Sequence, residues 1–103
     1  MTKLVLAASA CLAVTALAAP AAVADDIRNG AQLAQVWCAS CHVIPGADGP
    51  ALQGPPSFRA IAHSGKTPDQ LRVFLEHPHG AMPQLSLSRA EIADLIAYIA
   101  SLR

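Results

Sequence analysis

The sequence lacks an excess of charge, an alternating strand pattern and any internal repeat. Seven Lys and Arg residues stand against seven Asp and Glu residues, and they form no long run of one sign. Strong electrostatic attraction to nucleic acid or to an anionic membrane surface is therefore not expected. Without the period-two alternation of strands, the chain is expected to belong to the all-α class and to form a single domain.

The N-terminal segment predicts export. Lys3 precedes an apolar and small-residue run over residues 4–19, which is followed by the small-residue triplet Ala22-Val23-Ala24. A cationic start, a short apolar region and an A-x-A end are typical of a secretory signal peptide. The run is shorter than the roughly 20 residues of a membrane span. We expect residues 1–24 to be a signal peptide cleaved after Ala24, residues 25–103 to be the mature domain, and the protein to reside in the periplasm.

The mature chain is short and has few residues that could stabilise a fold of this size. Residues 25–103 form a domain of a size that usually needs a disulfide, a metal or another internal support. Cys11 falls within the leader, where the alternative is a lipid-attachment site, although Ala8 stands where such sites usually have leucine. Only Cys38 and Cys41 then remain, and a disulfide between them would close too small a loop to stabilise much. A large bound group would provide the apolar core that so short a chain cannot form by itself.

The motif Cys38-Ala39-Ser40-Cys41-His42 identifies that group. C-x-x-C-H is the attachment pattern of one covalently bound haem c, since two thiols on one side of a helical turn can each bond a vinyl group of the same macrocycle. His42 would then reach the iron as an axial ligand. The alternatives are a thioredoxin-like redox pair, half of a zinc site, or a structural disulfide.

Met82 is the predicted second axial ligand. It is the sole methionine outside the leader, and it lies in a loop where Pro83 favours extended backbone before it. A thioether opposite an imidazole suits electron transfer because it raises the reduction potential. The alternatives are that Met82 fills a gap in the core, or that His63, His77 or His79 takes its place.

Four helices are expected around this site. The first should run from Asp26 to Trp37, and a short one should cover residues 57–63. The third should start from a capping box at Thr67, carry a buried stripe of Leu71, Phe74 and Leu75, and end before Pro78. The last is the best defined. It has a capping box formed by Ser88 and Glu91 and an apolar face at i, i+3, i+4 and i+7 made of Ile92, Leu95, Ile96 and Ile99.

From Asp26 to Leu102 the chain resembles the small bacterial class I cytochromes c. The resemblance rests on a helix ending in Cys38-x-x-Cys41-His42, a Gly/Pro loop, Met82-Pro83 and a C-terminal helix. It implies a class I cytochrome c fold of three or four helices around one haem. It also implies that Gly30 on the first helix faces Tyr98 on the last.

Two features that the resemblance implies cannot be assigned to a single residue in this sequence. A loop proline whose carbonyl accepts a hydrogen bond from the axial histidine is implied, and Pro50 and Pro56 both qualify, with a slight preference for Pro56. No mid-chain Trp or Tyr is present to hold the haem propionates, and Arg59 is a weak candidate.

The function implied is one-electron transport between redox protein partners, such as membrane-bound or periplasmic dehydrogenases and oxidases. We expect a monomer with no catalytic residues and no small-molecule substrate. The alternatives are a cytochrome subunit fixed to one dehydrogenase or oxidase, and a haem sensor or peroxidase-like protein with an open distal site.

Overall fold

The computed structural model describes residues 1–13, 19–47, 51–78 and 80–103. In these ranges the chain forms four α-helices and no strand: α1 (Ala19–Trp37), α2 (Phe58–Ala62), α3 (Pro68–Glu76) and α4 (Arg89–Ser101). The all-α prediction is confirmed. No helix in the described part of the chain has both the length and the apolar character needed to cross a membrane.

Helix α1 is longer than predicted at its N-terminal end. The predicted start at Asp26 is wrong, because the helix begins at Ala19, while its predicted end at Trp37 is correct. The added turns are rich in alanine, the residue with the highest helix propensity. Pro20 lies in the first turn, where a missing N–H group costs nothing. Asp25 and Asp26 are therefore interior helix residues in the full chain, and they would stand at the helix start only after the predicted cleavage.

Helices α1 and α4 cross closely at a glycine. A Cβ atom added at Gly30 would lie 2.7 Å from the Cβ of Tyr98 and would collide with the backbone carbonyl of Asp94. Glycine at this position lets the two helix backbones approach each other, which outweighs its unfavourable helix propensity. The predicted pairing of Gly30 with Tyr98 is confirmed, and this contact joins the two ends of the domain.

The shorter helices start where their capping residues predict. In α3 the Thr67 hydroxyl accepts from the Gln70 N–H at 3.2 Å, and the Gln70 side chain accepts from the Thr67 N–H at 2.9 Å. Ser88 and Glu91 form the equivalent pair at the start of α4, at 3.1 and 2.9 Å. Ser57 caps α2. Such caps satisfy N–H groups that have no partner within the helix.

The core is built on α4. Its predicted apolar face is buried in full, together with Tyr98, and it packs against residues from α1, α2 and α3, among them Ala34, Phe58 and Leu71. The predicted buried stripe of α3 is only partly correct. Leu71 is buried, whereas Phe74 and Leu75 are half-buried because they line a cavity beside the core.

Candidate cofactor site

A cavity of about 660 Å³ lies beside the core, and its wall is mostly apolar. Its volume is within the range of about 300–1,000 Å³ that is usual for ligand and cofactor sites. The wall combines two thiols, an imidazole and a thioether with aliphatic and aromatic side chains. It includes Cys38, Cys41, His42, Phe58, Leu71 and Met82. All four residues predicted to hold the haem are therefore on one cavity.

Both cysteines reach the cavity from a turn that continues α1. The N–H groups of Cys41 and His42 both donate to the carbonyl of Cys38, at 3.1 and 2.9 Å. This helical turn carries the two thiols and the imidazole to the same wall. Both thiols are free, with Cys38 buried and Cys41 half-buried. The turn provides the spacing that two bonds to one macrocycle require.

The chemistry of Cys38 does not favour a redox pair. Burial, and then the neighbouring Cys41, raise the pKa of the Cys38 thiol to about 11. Thioredoxin-like sites work in the opposite direction, since they lower the pKa of the attacking cysteine. Across the described ranges, no group of three or more His, Cys, Asp or Glu side chains is arranged to hold a metal ion.

His42 is held in one orientation and one tautomer. Its Nδ1 lies 2.6 Å from the carbonyl oxygen of Pro56. Because a carbonyl can only accept, Nδ1 carries the proton and Nε2 keeps its lone pair for a metal. Phe58 packs edge-to-face against the imidazole, with ring centroids 5.6 Å apart. The alternative partner, Pro50, lies outside the described residues.

The loop between α3 and α4 brings Met82 to the cavity. Met82 is half-buried and lines the wall. The chain turns at Gly80, whose φ is +67°, a conformation that favours glycine. Gln84 then donates from its side-chain amide to the Glu76 carbonyl at 3.2 Å, which ties the loop back to the end of α3.

The described rival ligands are not on the cavity wall. His63 is exposed, and its Nδ1 bonds to the Arg59 carbonyl at 2.7 Å. His77 is exposed at the end of α3. Neither lines the cavity. His79 lies outside the described residues.

The apolar stripe predicted on α3 also contributes to the cavity. Phe74 and Leu75 form part of the cavity wall. Their apolar spacing showed that one face of the helix is covered, but it could not show whether protein or a bound group covers it. Arg59, the candidate for the propionates, is absent from the wall.

Comparison with known proteins agrees with this geometry. A family model described as "Cytochrome C oxidase, cbb3-type, subunit III" matches residues 25–99. The chain belongs to this family and is a small bacterial class I c-type cytochrome, a class that carries covalently bound haem c. Cytochrome c-552 of Bradyrhizobium diazoefficiens is 45% identical over 83 residues, which cover 80% of each chain. No solved structure matches the chain at a significant level.

The residues present fit a haem c. The cavity has the volume and the apolar wall that a flat macrocycle needs, and both thiols of the C-x-x-C-H motif line it. One wall carries an imidazole with a defined tautomer, and the loop after α3 carries a thioether. These are the two donor types of a high-potential electron-transfer haem.

Proposed function

We propose that this cytochrome is an exported one-electron carrier in which Cys38 and Cys41 tether the haem while His42 and Met82 bind its iron. The observation that carries the proposal is that all four side chains line one apolar cavity. The hydrogen bond that His42 Nδ1 donates to the Pro56 carbonyl also supports the role of the imidazole. The family supports electron transfer as the general activity.

Each residue has a separate task in this mechanism. When bound, the haem supplies the Fe(III)/Fe(II) couple. The two thioether links keep it on the protein. The Pro56 carbonyl fixes the His42 ring and makes its Nε2 a stronger donor. Met82 would hold the iron through its thioether, and a soft sulfur donor favours the reduced metal. The apolar wall excludes water, so little solvent has to reorganise when one electron enters or leaves.

Electrons would pass through the exposed rim of the cavity. Trp37 and Leu52 line the cavity, yet 52% and 61% of their surfaces are exposed. Apolar groups around an opening of this kind suit a short-lived contact with a redox protein, with polar residues at the edge of the contact. The proposed partners are membrane-bound or periplasmic dehydrogenases and oxidases, and the carrier itself is proposed to be a monomer.

Export is proposed from the leader. Residues 1–13 form no regular secondary structure and are exposed, and the family match begins at residue 25, one residue after the predicted cleavage site. N-terminal sequencing of the protein from a periplasmic fraction tests this. A chain beginning at Asp25 is expected. A chain that retains the leader, or one that begins at a lipid-modified Cys11, would contradict it.

The second candidate is a cytochrome subunit fixed to one enzyme. The description of the matched family, which names an oxidase subunit, favours it. Gel filtration of a native extract, followed by absorption of the haem, separates the two. A free carrier elutes near the mass of the mature chain. Elution of all the haem-bearing chain with a large membrane complex would contradict a diffusing carrier.

A further inference from the structure

Lys66 is the one charged side chain on the cavity wall within the part of the chain that the structure describes. Ser40 and Ser64 are further polar residues there, and the Ser64 hydroxyl already donates to the Ile61 carbonyl at 2.6 Å. Lys66 is exposed and forms no ion pair with another described residue. A single unpaired cation on a mostly apolar wall points to an anionic group on the molecule that fills the cavity.

The backbone fixes where Lys66 lies. Gly65, with φ of +78°, turns the chain directly before it. Thr67, directly after it, is held in the capping box of α3. The lysine backbone is therefore confined on both sides, while its long stem can move the ammonium group along the rim.

Lys66 and the cysteine turn both line the cavity but belong to different segments of the chain. Helices α1 and α3 make no contact with each other within the described residues, although both border the cavity. The cysteine turn extends α1, and Lys66 leads directly into α3. The thiols and the lysine therefore reach the cavity from different elements of the fold.

The chemistry of haem makes this separation informative. Its two vinyl positions lie on one edge of the macrocycle, and its two propionate carboxylates lie on the opposite side. Resting on the tethering proposed above, Cys38 and Cys41 would hold the vinyl edge and leave the propionates on the side away from the cysteine turn. We infer that the Lys66 ammonium pairs with a haem propionate at the cavity rim and that this cation raises the reduction potential.

Arg59 does not fill this role. It lies on α2 outside the cavity wall. Its charge acts instead on Tyr98, where it partly offsets the rise in the pKa of the phenol caused by burial. Arg59 therefore serves as a matched control, since it is a cation in the same region of the fold that does not line the cavity.

The test compares reduction potentials of haem-loaded variants at low ionic strength. Lys66→Gln and Lys66→Met remove the cation, Lys66→Arg keeps it, and Arg59→Gln removes the control cation. We expect both neutral variants at residue 66 to shift the reduction equilibrium about threefold towards the oxidised form. At 59 mV per tenfold change, this is a fall of about 28 mV. Added salt should reduce the difference, because the pair is at the surface.

The outcomes separate this inference from the proposal on which it rests. Lys66→Arg should retain the wild-type potential, and Arg59→Gln should change it less than Lys66→Gln does. If the two neutral variants at residue 66 carry covalent haem with unchanged potentials, or if Arg59→Gln gives the larger fall, the inference is wrong. A wild-type protein without covalent haem would instead contradict the tethering itself.

Discussion

A Cβ atom at Gly30 would lie 2.7 Å from the Cβ of Tyr98, so the crossing of α1 and α4 depends on the absence of a side chain. Helix α1 leads into the cysteine turn, and helix α4 carries the largest share of the buried core. The position of the haem tethers therefore depends on a contact some distance from them. This relationship makes the glycine a sensitive test of the fold.

Gly30→Ala should destabilise the folded protein. The added methyl group would collide with the Asp94 backbone, which cannot move aside as a flexible side chain could. The overpacking cost therefore lies near the upper end of about 1–3 kcal/mol and exceeds the roughly 1 kcal/mol of helix propensity that alanine recovers. Guanidinium denaturation of the haem-loaded protein measures the change. Gln32→Ala, at an exposed position of the same helix, is the control and should be close to neutral. Equal stability of Gly30→Ala and wild type would show that the helices do not cross as described.

Stability at high pH should depend on Tyr98. Burial raises the pKa of this phenol above its ordinary value of about 10. Above pH 10 the unfolded state loses the phenolic proton more readily than the folded state does, so the free energy of unfolding falls as pH rises. Tyr98→Phe removes this contribution. The stability of wild type relative to Tyr98→Phe should decline between pH 9 and about pH 11. A constant difference across that range would contradict the description of Tyr98 as buried and neutral.

Met82→Ala should leave the haem attached and change its iron. Without the thioether, the sixth position opens and the preference for reduced iron weakens. The potential should fall by at least about 59 mV, a tenfold change in the reduction equilibrium, and added cyanide or carbon monoxide should bind promptly. His63→Ala is the matched control because His63 is bonded elsewhere and lies off the cavity. An unchanged spectrum and potential in Met82→Ala would remove Met82 as a ligand.

Much of the fold could be predicted from local chemistry. Capping boxes at Thr67 and Ser88 placed two helix starts, because the residues that satisfy free N–H groups are adjacent in sequence. The start of α1 was missed. There the acidic pair at Asp25 and Asp26 suggested a helix N-terminus, whereas the preceding alanines extend the helix through their own propensity.

The cysteine motif could be recognised in the sequence, whereas other residues of the site were harder to predict. The cysteine motif carries its geometry within five residues, and one methionine left few alternatives. Lys66 gave no such indication, because a lysine before a helix is an ordinary surface residue. Its proposed role rests on its place at a cavity that is also lined by residues of α3 and α4. Pro56 was one of two possibilities until the fold placed its carbonyl beside His42.

The most direct test of the account is whether haem stays with the polypeptide after denaturation. The protein should be matured in a host that attaches haem, then denatured in guanidinium and extracted with acidic organic solvent. The account predicts a c-type visible absorption spectrum that remains with the chain, and its complete loss in the double variant Cys38→Ala with Cys41→Ala. A colourless wild-type protein, or haem that extracts freely from it, would contradict the central claim.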